Sequence, residues 1–409
     1  MTNSKKLRLN VTYGLKLIVV ILVLACCGYA HSPVKSAPPP TRDWTKYPAV
    51  VEIDKPPGDI FAVSDPHAHY QRLVKVLDQT GLVGREIAVS VSLQMNGELD
   101  STVNWVGGNA VLVVIGDLID KNPTGALKVI NMLRRLQTQA AREGGRVIVT
   151  MGNHEAEFLA GEGCKDGKRK CMTDFVRELK AAGMKPEDVA NCKGDLGQWL
   201  CQLPVAARVG GWFFAHAGYT ANRSISQINS DIANGFRDNG FKTTQLVGDN
   251  TILNARLDET GPGPERSPWV YNGNRRNNPE DTLKTFTRTL GVRPIVQGHK
   301  PGNVPELNRI KREMFQAYDG LLFLIDTDMG EGADNYVADI YGAALHISVE
   351  RRADFGTTTT IPPNPTPEPT PEPPCVTITT KAIAIKKDGS KKPLWEGIEL
   401  KKASGEPCK

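Results

Sequence analysis

No stretch of the 409 residues holds the roughly 20 consecutive apolar positions that a membrane-spanning helix requires. No Cys-x-x-Cys pair occurs, which argues against a structural zinc knuckle. No internal repeat recurs, so solenoid and propeller architectures are not expected. A basic field is also missing. The formal charge is +5, but residues 1–30 carry four cations and no carboxylate, and residues 375–409 carry eight Lys against four acids, leaving the body near −3. Such a body has no electrostatic footprint for nucleic acid.

What the chain does have begins with its first thirty residues. Lys5, Lys6, Arg8 and Lys16 precede the apolar run Leu17 to Ala25, and the small-residue exit Gly28-Tyr29-Ala30 follows. That is the layout of a secretory signal, with lipoprotein cleavage at Cys26 as the alternative. An extracytoplasmic location, periplasmic or secreted, changes how cysteine is read. Six cysteines remain after the signal, an even number that suggests disulfides in an oxidising compartment. Cys164, Cys171, Cys192 and Cys201 cluster, while Cys375 and Cys408 bracket the tail. Neighbour pairing is the expected connectivity, Cys164 with Cys171, Cys192 with Cys201 and Cys375 with Cys408. The Lys-rich tail is either a solvated charged segment or a contact with an anionic envelope surface.

Proline marks the boundaries. Residues 31–48 read as a Pro-rich tether and 356–374 as an extended Pro/Thr-rich linker, which leaves a main domain over 49–355 and a small Lys-rich unit over 375–409. Within the domain, short apolar runs at 60–64, 111–115, 146–150, 212–215, 294–297 and 321–325 read as buried strands. Pro123 to Arg142 reads as a helix with Ala126, Val129, Ile130, Leu133 and Leu136 on one face. Strand–helix alternation predicts an α/β layered fold.

Five motifs carry the chemistry: SDPHAH around Asp65 and His67, IGDLID around Asp117, MGNHE around Asn153 and His154, FFAHAG around His216, and VQGHKP around His299. In each, a metal-competent side chain follows an apolar run, where α/β sheets gather functional residues. Burial has no use for such polar residues at loop starts. Asp and His donors suit borderline cations such as iron, zinc or manganese, and a carboxylate set between two cations can bridge them.

These motifs resemble those of the calcineurin-like metallophosphoesterases, within them the phosphoprotein phosphatases and especially the bacterial Shewanella-like branch. GQWLCQLPVAARVGGWFFAHAG, SPWVYNG and FLIDTDMG extend the resemblance over about residues 59–350. It implies a layered α/β/β/α sandwich, here with residues 161–203 as a disulfide-stapled cap insertion. It further implies two divalent or trivalent transition metals, Mn, Fe or Zn. Asp65 and His67 would hold the first, Asn153, His216 and His299 the second, and Asp117 would bridge. His154 matches the family's general acid and Asp120 its orienting partner. The chemistry implied is in-line attack by a hydroxide activated between two metals about 3.5–4 Å apart.

Departures fall on the substrate side. Lys121 stands where the family has Arg, Tyr271-Asn272 replaces a stretch that carries Arg, and Ala68 and Ala217 replace glycines. Lys cannot grip a phosphate bidentately as Arg does. Arg275, Arg276 and Lys300 are the candidate substitutes. Lys165, Lys168, Arg169 and Lys170, inside the insertion, would line a basic rim if it caps the site. The expected activity is hydrolysis of phosphomonoesters, on a phosphorylated protein or small molecule. Phosphodiesterase or nucleotide pyrophosphatase action on the same centre is one alternative, and a retired enzyme serving as a surface-binding protein is the other.

Overall fold

The computed structural model describes residues 42–86, 102–120, 125–161, 172–256, 278–300, 311–329, 342–353 and 375–402. Residues 1–30, expected as a signal, the linker 356–374, the basic stretch 165–170, Lys121, Arg275, Arg276, Cys164, Cys171 and Cys408 lie outside the described residues, and so does the expected tether up to residue 41. No described helix is long and apolar enough to cross a membrane.

Two six-stranded sheets form the centre. The first runs in the order β14 (Lys391–Lys402), β13 (Cys375–Lys386), β12 (Ala343–Ala353), β2 (Ile60–Ser64), β5 (Val111–Ile115) and β6 (Arg146–Thr150). The second runs β1 (Val50–Ile53), β7 (Ala206–Val209), β8 (Trp212–Ala215), β9 (Ile295–Gln297), β11 (Leu322–Leu324) and β10 (Phe315–Ala317). A ribbon of β3 (Val83–Glu86) and β4 (Thr102–Trp105) stands apart from both. Every residue of β2 and β5 is buried, which is why both read as unbroken apolar runs: each strand is covered on two faces. Ile60, Ala62, Val111, Val113 and Ile115 point between the sheets at Val209, Trp212, Phe214, Val296 and Phe323. Their neighbours Phe61, Val63, Leu112 and Val114 point the other way, into the helical layer. The period of two thus builds both interfaces of an α/β/β/α sandwich from one strand set.

Helix α1 (Tyr70–Gln79) follows β2, and α2 (Ala126–Arg142) buries the stripe read from the sequence, extended by Met132 and Ala140. After α3 (Asn153–Ala160), the insertion folds as α4 (Thr173–Ala181), α5 (Pro186–Ala190) and α6 (Gly194–Cys201). Cys192 and Cys201 form a disulfide with Cα atoms 5.7 Å apart, the pairing expected for these two. These helices lean on α2. The Glu178 carboxylate accepts the backbone N–H groups of Gly125, Ala126 (3.2 Å) and Leu127 (2.9 Å), filling the donors at the start of α2, and Trp199 Nε1 donates to Gln137 at 2.9 Å.

Two sequence boundaries move. Arg42, placed in the tether, is half-buried and donates to the carbonyls of Cys201 (2.8 Å) and Leu203 (3.0 Å), so the fold begins by residue 42. The tail from 375, expected as a unit of its own, instead extends the first sheet. β13 pairs antiparallel with β12 over eleven positions from Ala343↔Lys386 to Ala353↔Val376. Ala382, Ala384 and Ile385 are buried, and Trp395 packs on Trp212 and Phe323 with ring centroids 6.3 and 6.5 Å apart. Composition shows that a proline-rich stretch is extended; it does not show that the chain afterwards returns to the neighbouring strand.

Ending the chain at Gly356 should therefore strip β12 of its partner and expose the inter-sheet core, lowering the melting temperature and lessening cooperativity. In the full chain, Trp395→Ala should cost about 2–3 kcal/mol in urea denaturation, mostly lost apolar burial. A truncated protein that melts like the whole one would show the hairpin to be an accessory.

Candidate metal centre

β2, β5 and β6 run parallel in one sheet, and β8, β9 and β11 run parallel in the other. Asp65, Asp117 and Asn153 leave the ends of the first three; His216, His299 and Asp326 leave the ends of the second three. The face-to-face packing brings the six strand ends together, so neither sheet owns the site. Ligand-type atoms of Asp65, His67 and Asp117 lie within 4.8 Å of one another, and so do those of Asp117, His216 and His299. Asp117 belongs to both groups. Asn153 Oδ1 joins the second, 3.0 Å from His216 Nε2, which is also 3.0 Å from His299 Nδ1 and 3.4 Å from Asp117 Oδ1.

Backbone contacts lock the loops. The N–H groups of His67 and Ala68 donate to the carbonyls of Asp117 (2.8 Å) and Leu118 (2.9 Å), and Gly298 N–H donates to the His216 carbonyl at 3.0 Å. His299 N–H donates to Asp65 Oδ2 at 3.1 Å, and Ser64 Oγ also donates to that oxygen. Glu155, fully buried, ties the second and third motifs. Its carboxylate accepts N–H from Asp117 (2.9 Å), Leu118 (2.8 Å), Ile119 (3.1 Å) and Gly152 (2.8 Å).

The electrostatics favour a cation. Burial and the neighbouring Asp326 push the Asp65 carboxyl well above its usual pKa. Burial pushes Asp117 the same way, but His154 and His216 outweigh it and hold that carboxyl well below its usual range. Burial would deprotonate His216, yet Asp117 and Asp65 outweigh it and lift the imidazole to about 10. Burial, with His216 and Arg256 adding to it, holds His299 well below its usual pKa, which suits a neutral donor. Among the described residues, the buried His299 Nε2 and His67 Nδ1 have no hydrogen-bond partner. Imidazole nitrogens, carboxylates and an amide oxygen aimed at shared points fit a transition metal's needs.

The calcineurin-like phosphoesterase family model matches residues 58–303, which contain every motif just described. The chain belongs to this family. Calcineurin-like phosphoesterases are metal-dependent hydrolases, consistent with the donor groups found. The chain is 29% identical over 175 residues to Shewanella-like protein phosphatase 1 of Plasmodium berghei (strain Anka), covering 42% of this chain and 43% of that one. It is 23% identical over 254 residues to Shewanella-like protein phosphatase 2 of Arabidopsis thaliana, covering 49% and 64%. It thus spans less than half of the first of these curated relatives and under two-thirds of the second. Among solved structures, the cold-active protein-tyrosine phosphatase of a psychrophilic Shewanella sp. shares the fold with a TM-score of 0.53 at 16% identity, covering 85% of this chain and 82% of that one.

This phosphoesterase holds four of its six candidate ligands in left-handed backbone: Asp65 (φ 53°), His67 (φ 46°), Asp117 (φ 50°) and His299 (φ 63°). Each such residue costs on the order of 1 kcal/mol and persists because the surrounding hydrogen bonds overdetermine it. Ala68 is left-handed too, with φ 64°, which gives a physical reason for the family's glycine there. Gly152 and Gly298 are required for space, since a Cβ on either would overlap the carboxylate of Asp117 or Asp65.

Asp120 lies beside His154, with ligand-type atoms of His67, Asp120 and His154 within 4.8 Å of one another, and a backbone carbonyl also holds the His154 ring. Its Nδ1–H donates to the Ile119 carbonyl at 2.8 Å, one residue before Asp120, while Asp120 Oδ2 lies 3.5 Å from His67 Nδ1. Of the candidate phosphate ligands only Lys300 is described; it adjoins His299, and its N–H donates to the Gly298 carbonyl at 2.8 Å. Three contributors went unread in the sequence: Glu155, Asp326 and Arg256. Asp326 follows an apolar strand as the ligands do, so the same rule reaches it. Arg256 sits in a loop after Ala255, where no local pattern marks it, yet its charge bears on His299.

Glu155→Gln should lower stability by about 2–4 kcal/mol in chemical denaturation, because an amide cannot accept four N–H groups with a full negative charge. It should also reduce retained metal, measured by elemental analysis. Unchanged stability and metal content would remove Glu155 from its positioning role.

Proposed function

We propose that this protein is an exported, metal-dependent phosphomonoesterase acting on phosphorylated protein. The observation that carries the reading is the convergence, from both sheets, of Asp65, His67, Asp117, Asn153, His216 and His299 beside His154. Two cations, one held by Asp65, His67 and Asp117 and the other by Asp117, Asn153, His216 and His299, would supply Lewis acidity to the phosphoryl group and to the attacking water. Manganese, iron and zinc all suit this donor set. The chain's own residues supply the proton. With Nδ1–H committed to the Ile119 carbonyl, Nε2 of His154 is the nitrogen directed into the site, 3.7 Å from Asp117 Oδ2, where it can protonate the departing oxygen.

A monoester is preferred over a diester because its dianion needs more positive charge. Arg256 brings a guanidinium to the His299 side, offsetting Lys121 at the position of the family's Arg. The names of the Shewanella-like protein phosphatase relatives support phosphoprotein as the substrate class. The Cys192–Cys201 disulfide supports export to an oxidising compartment. A retired surface-binding role has no support in a site that keeps its full donor set.

His154→Ala should reduce turnover by about 10²–10⁴-fold on phosphoserine peptide and far less on an aryl phosphate, whose leaving group needs little protonation. Equal losses on both would remove the general-acid role. Asp117→Asn should lose both metal and activity, and two retained equivalents with normal turnover would overturn the bridge. Faster hydrolysis of a diester than of a monoester probe by the wild-type protein would reassign the enzyme to diester substrates.

A further inference from the structure

The Lys-rich tail, which the metal centre does not use, builds a second feature where it joins the domain. A cavity of about 340 Å³ lies between the hairpin β13–β14 and the segment 311–314, with Thr327 on its wall. Its floor is small, made by Gly342, Ala343 and Ala384, and its rim is cationic, made by Lys311, Arg312, Lys386 and Lys392 against one lining carboxylate, Glu313.

The strand register shows how the cations come to face inward. Lys386 pairs with Ala343 and Lys392 with Ala384, so both lysines share the face on which those alanines are buried between the sheets. Trp395 pairs with Ala382 on this same face, although residues 392 and 395 of a regular strand would point oppositely. The register shift after Ala382 inserts the extra residue that turns both inward. A core-facing surface that continued the sandwich would carry large apolar side chains. Beyond Trp395 it carries Ala384, Lys386 and Lys392 beside Ala343, with Met314 on the facing segment, which leaves a hollow with positive charge at its rim.

The cavity is also joined to the metal centre. Arg312 Nε donates to Asp328 Oδ2 at 2.7 Å, with both residues in left-handed backbone (φ 69° and 58°). Asp328 N–H donates to Asp326 Oδ1 at 2.8 Å, and Asp326 is the carboxylate that presses on Asp65. Lys392 is held by Glu313 at 3.0 Å, an exposed pair that an incoming anion can readily exchange.

We propose that this cavity is a second anion site, separate from the metal centre, that takes a phosphate-class dianion. The ligand is either free phosphate, the product of the reaction, or a phosphoryl group on a protein segment. Three lysines and an arginine around a compact hollow match such an oxyanion through charge-assisted hydrogen bonds. The proposal does not depend on which ester the metal centre hydrolyses.

Calorimetric titration of the full chain with inorganic phosphate, at constant ionic strength, tests it. The wild-type isotherm should contain a component that weakens at least tenfold in Lys386→Glu/Lys392→Glu. Asp117→Asn, whose metal centre is disabled, should keep that component. A Lys386→Gln/Lys392→Gln protein whose circular dichroism and melting match the wild type guards against misfolding and should show the same loss. A parallel titration with a phosphoserine peptide separates the sources: tighter binding than phosphate assigns the site to phosphorylated protein, equal or weaker binding to free phosphate. Identical isotherms for wild type and both lysine variants would overturn the site, as would loss of all phosphate binding in Asp117→Asn.

Discussion

Face-to-face packing of two mixed sheets, each with three parallel strands that bear the site, is the constraint on which the site depends. Each sheet alone contributes an incomplete donor set: two carboxylates, an imidazole and an amide from one, two imidazoles from the other. The interface made by Ile60, Val113, Ile115, Trp212, Phe214, Val296 and Phe323 sets their separation. Such a core is close-packed and resists sliding, so it can hold donors to the tolerance that metal coordination demands. Apolar burial, which carries no chemistry itself, thus determines whether Asp117 can face His67 and His216 together.

That rigidity supports an expensive arrangement. Buried carboxylates at 65, 117 and 326 and four ligands with positive φ are each unfavourable alone. Glu155 illustrates how the cost is contained. A fourth buried carboxylate would add to the repulsion, but this one satisfies four backbone N–H groups and fixes two motif loops against each other. Charge accumulates here because the family's function calls for cations.

The C-terminal hairpin follows the same logic at longer range. Residues 354–374 join Ala353 to Cys375, and Ala353 pairs with Val376 in adjacent strands. The proline-rich stretch therefore closes a loop within one sheet. Its return places Trp395 over the inter-sheet core and turns Lys386 and Lys392 toward the loop that carries Asp326 and Asp328.

The sequence by itself determined the strands, because full burial leaves an apolar signature, and the candidate metal donors, because Asp, His and Asn immediately after such runs have no packing purpose. It also determined the stripe on α2, which is local in the chain, whereas the cysteine spacing only suggested neighbour pairing and the fold joined Cys192 to Cys201. Tertiary structure alone decided what depends on distant partners. It showed Arg42 bonded to carbonyls some 160 residues away, the Ile119 carbonyl accepting from His154, the charge of Arg256 bearing on His299, and the tail added as two strands of the first sheet. Periodicity and spacing record how each segment is buried. They do not record which surface buries it, since many surfaces satisfy the same apolar pattern, and only the assembled sheets choose among them.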